Sequence, residues 1–310
     1  MISKSLLVLI FISILSTVSD IQGSDFKLEP SCFDLRNYGL SQPHRIFALA
    51  DNPDSAYIDT TSNGNGFRPL HDLAYGVKAT LTDAVHVYSS PIRIDGNSAL
   101  WLLGFAGAGG LIYIYDREIY DALKERTEHK ALKPIVKWGD NTQSIGDGGK
   151  SAKYYFGGVI LGYVTGIDKL FHVSSDVLES YLIAGLIKNA ANYAAGRSRP
   201  HEGGNARFWK QNEGTSFPSG HAANVIQLAR IFSHHFNYVP VKIACYGTAG
   251  CVAVQRVTSD SHWPSDVYTA LLYGWFVADE VVKRNHARRF RVHPSRLSDG
   301  TPALGIAVSF

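Results

Sequence analysis

Asp176-Val177-Leu178-Glu179-Ser180-Tyr181-Leu182-Ile183-Ala184-Gly185-Leu186-Ile187-Lys188-Asn189-Ala190-Ala191-Asn192-Tyr193-Ala194-Ala195-Gly196-Arg197-Ser198-Arg199-Pro200 reads as an apolar helix with its own start and stop signals. Asp176 is a capping residue with Glu179 at the third helical position, which predicts a helix to about Ala195. Gly196 ends it, and Pro200 prevents its resumption. Arg197 and Arg199 are thereby left at a helix exit, where guanidinium forks suit an oxyanion. Taken alone, they are equally well solvated charges favoured by the helix dipole.

Outward from this stretch the same period continues. Helices are predicted at 219–237, 241–256 and 266–284. Upstream, Leu70, Ala74, Val77, Leu81, Ala84, Val85 and Tyr88 share one helical face. Tyr154 to Ile167 is apolar, and 20 uncharged residues lie between Asp95 and Asp116. Few windows alternate with period two, so the expected class is all-α, a compact helical bundle. The expected organisation is a signal peptide at 1–23, a loop-rich segment at 24–69, a helical domain at 70–284 and a basic tail at 285–310. The loop reading of 24–69 rests on Asp51-Asn52-Pro53-Asp54 and Asn63-Gly64-Asn65-Gly66.

Composition narrows the function classes. The chain has 310 residues, 45% apolar and 18% charged, with a net charge of +3. That excludes disordered and coiled-coil chains and gives nucleic-acid binding no electrostatic support. Three cysteines cannot make a disulfide framework. Cys245 and Cys251 lie about 240° apart around a helix and read as buried thiols.

Lys4 and the apolar run Leu6–Val18, with small residues at Ser16, Ser19 and Gly23, read as an export signal. The protein is therefore expected to be periplasmic or secreted. Glu179, Lys188, Arg230, Lys242, Arg256 and Asp279 interrupt the later apolar stretches. Charge in a bilayer core is costly, so a soluble bundle is favoured over an integral membrane protein. Six basic residues from Lys283 to Arg296, with no acid among them, suit a solvated helix end or peripheral docking on an anionic membrane.

The chemistry-bearing residues fall in three clusters. The first is the Asn192–Pro200 exit. The second is Ser216-Phe217-Pro218-Ser219-Gly220-His221, where a helix start leaves free N–H groups, Gly220 admits an anion, and His221 projects from the first turn. In the third, Arg256 is followed after five residues by His262 and after three more by Asp266. Asp266 is placed to accept the Nδ1–H of His262, leaving Nε2 as nucleophile or base. Each cluster alone also reads as an ordinary cap, turn or surface histidine. The other ten histidines, His234-His235 among them, read as surface or packing residues.

Jointly, the clusters resemble the superfamily of type 2 phosphatidic acid phosphatases, class A bacterial acid phosphatases and vanadium-dependent haloperoxidases. Its signature is Lys-x6-Arg-Pro, Pro-Ser-Gly-His and Ser-Arg-x5-His-x3-Asp, and the likeness covers roughly residues 150–283. Two positions depart from it: Asn192 stands at the lysine and Gln255 at the serine, the latter a minor change on this reading. Lys188, one turn before Asn192, and Arg197 are the candidates to replace the missing charge.

The resemblance implies a helical bundle and a metal-independent hydrolysis of phosphate monoesters. The phosphate would lie between Arg199, Arg256 and the amides of Ser219 and Gly220, with Asn192, Lys188 and Arg197 as further ligands. His262 would form a phosphohistidine, Asp266 would stabilise its imidazolium, and His221 would protonate the leaving group. No cofactor is expected, and vanadate is expected to bind as a phosphate analogue. The substrate would be a phosphorylated lipid or a small phosphomonoester. A vanadium haloperoxidase, and a catalytically weak phosphate-binding relative, are the alternatives.

Overall fold

A computed structural model describes residues 45–48, 57–58, 69–93, 95–211, 213–296 and 302–308. The segment expected to be an export signal, 1–23, lies outside them, as does most of the segment expected to be loop-rich. The chain divides into two units, one comprising Ser89–Glu280 and the other Glu29–Tyr88 with Val281–Phe310.

The first unit is the helical bundle. Asp95 caps α2 (Gly96–Ile114) through the amide of Ser98 at 2.7 Å. Tyr115 separates α2 from α3 (Asp116–Glu125), and the two axes are bent by 67°. Next come α4 (Lys133–Thr142) and α5 (Gly148–Thr165), the latter capped by Asp147 on the amides of Gly149 and Lys150. The series ends with α6 (Asp168–Ala195), α7 (Gly220–His235), α8 (Val239–Thr258) and α9 (Pro264–Arg289).

The core is built where α7, α8 and α9 meet through small and β-branched residues. Ala222, Ala223, Ile226, Val252, Ala253, Val257, Val267 and Leu271 are all buried there. At the α4–α8 crossing a Cβ on Gly139 would stand 2.5 Å from the Cys251 carbonyl, so only glycine permits that approach. Cys245 and Cys251 are free and half-buried, less enclosed than expected.

Three expectations for this unit need correction. Asp176 caps nothing: α6 begins eight residues earlier, and the fully buried Asp176 carboxylate meets His235 Nε2 at 2.7 Å. Four of the six interrupting charges are turned inward. Glu179 and Arg256 are buried, and Arg230 pairs with buried Asp279, so they carry little weight against contact with lipid. Finally, Asp168–Ala195 is itself long and apolar enough to cross a membrane, although half of its most apolar window is buried inside the protein.

The second unit contains α1 (Pro69–Ser89) and the last residues of α9. The apolar face expected on α1 is present but open, with Val77, Leu81 and Val85 exposed. Asp83, fully buried, takes both Arg284 and Arg288, so these two basic residues are not a solvated helix end. Four strands also occur: β1 (Arg45–Ala48), β2 (Tyr57–Ile58), β3 (Phe290–Arg296) and β4 (Pro302–Val308). They form an antiparallel sheet in the order β2-β1-β4-β3, with Ile306 opposite both Phe47 and Val292. A loop segment and a basic tail were expected in these places. The apolar Ala303–Val308 run pairs on one side with the nearby β3 and on the other with β1, where Phe47 and Ile306 are 259 residues apart, a pairing that local periodicity does not reveal.

Candidate active site

The exit of α6 is fixed by Gly196, which adopts φ 56° and donates its amide to Asn192 at 2.9 Å. A Cβ here would stand 1.7 Å from the Lys210 carbonyl, so the turn excludes every other residue. Arg199, just beyond, is oriented by Thr215: Nε donates to Oγ1 at 3.3 Å and Nη2 to the carbonyl at 3.4 Å. Arg197 goes the other way. Its side chain is fully buried and bonded to Asp116, Asp266, Ser265 and the Ala206 carbonyl. It is therefore not the phosphate ligand that was expected; two buried carboxylates take its charge.

Asn192 is also reassigned. Only 9% exposed, it lies against two main-chain carbonyls. With its amide nitrogen turned towards them, it donates to Phe217 at 2.6 Å and Thr215 at 3.3 Å, and its oxygen accepts from Lys188 Nζ at 3.2 Å. It thus anchors the approach to α7 and holds Lys188, with no N–H left for an anion. Lys188 does reach the site: its Cε lies 3.4 Å from where a Cβ on Gly220 would be.

Ser219 caps α7, accepting from the Ala222 amide at 3.4 Å, and is fully buried. Its own amide donates to the Asp266 carbonyl at 3.3 Å, so the expected Ser219 amide contact with phosphate is not available. Gly220 and His221 occupy the first two positions of α7, where helical N–H groups have no intrahelical partner.

The α8–α9 connection carries the third cluster. Gln255, expected to be a minor change, is central here. Its Oε1 accepts from Arg256 Nε at 2.7 Å, and its Nε2 donates to Asp140 at 2.7 Å. Gln143 accepts from Arg256 Nη2. Asp260, at φ 60°, ties the loop to α3 through Tyr120 and Lys124.

His262 Nδ1 donates to the Ser216 carbonyl at 2.7 Å, whereas Asp266 Oδ2 stands 4.0 Å away. The expected His262–Asp266 hydrogen bond is therefore replaced by one to the main chain. The outcome for the ring is the one anticipated, with the proton on Nδ1 and the lone pair on Nε2.

The ionisable groups converge. Burial, then Arg199, with Arg256 and His221, holds the His262 pKa well below the ordinary histidine value, against the Ser216 bond. Burial, then Arg256, brings His221 down to about 4, with Arg199 and Lys150 adding to this and Asp147 opposing it. Burial, then Arg199, lowers both Lys188 and Arg256. Both imidazoles are thus neutral near pH 7, and the crowded positive charge suits a polyvalent oxyanion.

Pattern reading missed Asp116, Gln143 and Thr215, and included Ser216 in the second cluster without giving it a role. Thr215 adjoins that cluster, but Asp116 and Gln143 come from distant segments, with no local signal. Among the described residues no group of three or more His, Cys, Asp or Glu is arranged to hold a metal ion.

Residues 174–290 match the family described as the PAP2 superfamily. Over 112 residues the chain is 32% identical to a lipid A 1-phosphatase of Porphyromonas gingivalis, a stretch covering 34% of this chain and 22% of that protein. The match thus spans about a fifth of the relative's length. No solved structure matches the chain. The α6 exit, the first turn of α7 and the α8–α9 loop all lie within the segment that matches the PAP2 superfamily.

Proposed function

We propose that this chain is a phosphatase that removes phosphate from lipid phosphomonoesters through a phosphohistidine on His262. The observation that carries this reading is the buried His262 ring, with its tautomer fixed by Ser216, within electrostatic reach of Arg199, Arg256 and His221. The phosphate would lie among Arg199, Arg256, Lys188 and the amides of Gly220 and His221. These fixed positive groups stabilise the charge on its oxygens in the transition state.

Nε2 of His262 attacks phosphorus in line, and the bond to the leaving oxygen breaks. His221 passes its proton to that oxygen. Burial first, and then the arginines, hold His221 at about 4; the substrate dianion offsets the arginines, so that His221 takes up the proton it must deliver. His221 then takes a proton from water as that water attacks the phosphohistidine. Inorganic phosphate leaves and His262 is restored.

A lipid substrate is supported by the name of the Porphyromonas gingivalis relative and by the outer surface. Leu100, Leu103, Tyr154, Phe156, Leu161 and Val164 are all exposed, Tyr154 at 80%. Exposed large apolar side chains in such number suit a membrane-associated protein. Export rests on Met1–Gly23 alone. Lys188 at Gly220 weighs against the catalytically weak alternative, because a cation is retained despite Asn192.

The test is phosphate release by the purified full chain from a phosphatidate, a lipid A 1-phosphate and p-nitrophenyl phosphate. Expected are vanadate inhibition, an acid-labile phosphoenzyme, and loss of both turnover and phosphoenzyme in His262→Ala. Release that persists in His262→Ala, or that chelators abolish, overturns the reading.

A further inference from the structure

Arg197 is among the largest side chains with no solvent exposure, and every polar atom on it is engaged. Nε donates to the Ala206 carbonyl at 3.0 Å and Nη2 to the same oxygen at 2.6 Å. Nη2 also reaches Asp116 Oδ2, and Nη1 reaches Ser265 Oγ at 2.8 Å and Asp266 Oδ1. The guanidinium carbon lies 4.8 Å from the Trp209 ring centroid, with Tyr113 and Trp263 further out at 5.3 and 5.7 Å.

Asp116, from the first turn of α3, is 1% exposed. Its oxygens accept from the Ser265 amide at 2.8 Å and the Ser265 hydroxyl at 2.6 Å. Asp266 completes the group, accepting from Ser216 Oγ and from the Trp263 amide at 3.0 Å. Two carboxylates and one guanidinium carry a net charge of −1. Ser216 joins this cluster to the nucleophile, because its hydroxyl donates to Asp266 while its carbonyl accepts the His262 Nδ1–H.

We propose that Asp116 and Arg197 are positioning residues: with Asp266 they form a buried, net-negative triad that holds Ser216 against His262 and balances the cationic ring formed when Nε2 bonds to phosphorus. This rests on the phosphohistidine reading above. Asp116 lies outside the segment that matches the PAP2 superfamily. Without Asp116 the triad would be neutral, and the cationic ring would lose its buried counter-charge. Burial also pushes the Asp116 carboxyl up to about 6 against the pull of Arg197. The triad therefore maintains its second negative charge at some cost, a cost that pure packing would not require.

The test compares Asp116→Asn, which keeps the shape and removes the charge, with Ser265→Ala, which removes hydrogen bonds and keeps all three charges. Asp116→Asn is expected to lower kcat and the rate of phosphoenzyme formation by about tenfold or more, with KM and vanadate inhibition within about twofold of the wild type. Ser265→Ala is expected to stay within about threefold in kcat. A folded Asp116→Asn with wild-type kcat, or equal losses in both variants, overturns the proposal.

A second measurement needs no variant. In the wild-type chain with vanadate bound, nitrogen-15 NMR of His262 is expected to show Nδ1 protonated from pH 6 to pH 8; deprotonation within that range overturns the proposal. A wild-type chain without His262-dependent phosphate release refutes the phosphohistidine reading, and the vanadate measurement still tests the triad.

Discussion

His262 and Ser216 are joined by a 2.7 Å hydrogen bond from the imidazole Nδ1–H to a backbone carbonyl. The tautomer of the candidate nucleophile is thus set by main chain. Asp266 acts at one remove, by holding the Ser216 hydroxyl. A carbonyl does not titrate, so the ring keeps its orientation across the pH range in which carboxylates change charge.

Ser216→Ala keeps that carbonyl and deletes the bond to Asp266. A hydrogen bond to a charged group contributes about 1.5–3 kcal/mol. Steady-state kinetics are expected to give a drop in kcat of about tenfold or somewhat more, with KM little changed and without the complete loss expected of His262→Ala.

Lys188 and Asn192 make opposite predictions. Lys188→Met removes a cation from the first turn of α7 and is expected to raise the vanadate inhibition constant by about tenfold. Asn192→Lys restores the family's residue type, yet it strands the Thr215 and Phe217 carbonyls. It is expected to lower the unfolding midpoint and not to raise kcat/KM, as differential scanning fluorimetry and kinetics would report.

Gln255→Ser restores the other departure and is also expected to do harm. It removes the oxygen that orients Arg256 and the donor to Asp140. KM for a phosphomonoester is expected to rise by about tenfold, while His262-dependent turnover persists.

Stability has two opposed pH slopes. His221 is depressed from 6.5 to about 4, so between these values the unfolded chain binds more protons, and stability rises with pH. Asp116 is raised from 3.8 to about 6, so the folded chain binds more protons there, and stability falls as pH climbs. Thermal unfolding from pH 4 to pH 6.5 is expected to show a steeper gain with pH in Asp116→Asn and a shallower one in His221→Gln.

Gly196→Ala places a Cβ against the Lys210 carbonyl at a left-handed backbone position. Gly220→Ala meets only the flexible Lys188 stem at 3.4 Å. The first is expected to abolish folding on a circular dichroism melt. The second is expected to leave the melt within about 1 kcal/mol of the wild type and weaken vanadate binding.

The helices and the two imidazoles were legible because both are local. Helical period and cap residues lie within a few positions of each other, and Pro218-Ser219-Gly220-His221 and the Arg256–His262–Asp266 spacing lie within single segments. What escaped depends on partners distant in sequence. The inward turn of Arg197 is decided by Asp116, 81 residues upstream, and the duty of Asn192 by carbonyls of the 215–217 segment. The Ala303–Phe310 segment is strand-like in sequence, but its pairing with residues near 46 escaped for the same reason, whereas its pairing with 290–296 is local. Counting charges along α6 to α9 misjudged the surface, because a count does not distinguish an interior ion pair from an outward-facing one.

Among the described residues, the cations divide by partner. Arg197, Arg230 and Lys124 face carboxylates, whereas Arg199, Arg256 and Lys188 are held by neutral oxygens of Thr215, Gln255, Gln143 and Asn192. The second set therefore repels itself: Arg199 adds to burial in lowering the pKa of both Lys188 and Arg256, and at Arg256 only Asp140 opposes this. Any tetrahedral oxyanion relieves that repulsion, the released inorganic phosphate included. On the proposed phosphatase reading the chain is slowed by its own product as that product accumulates, and its pace follows how quickly the surroundings carry phosphate away.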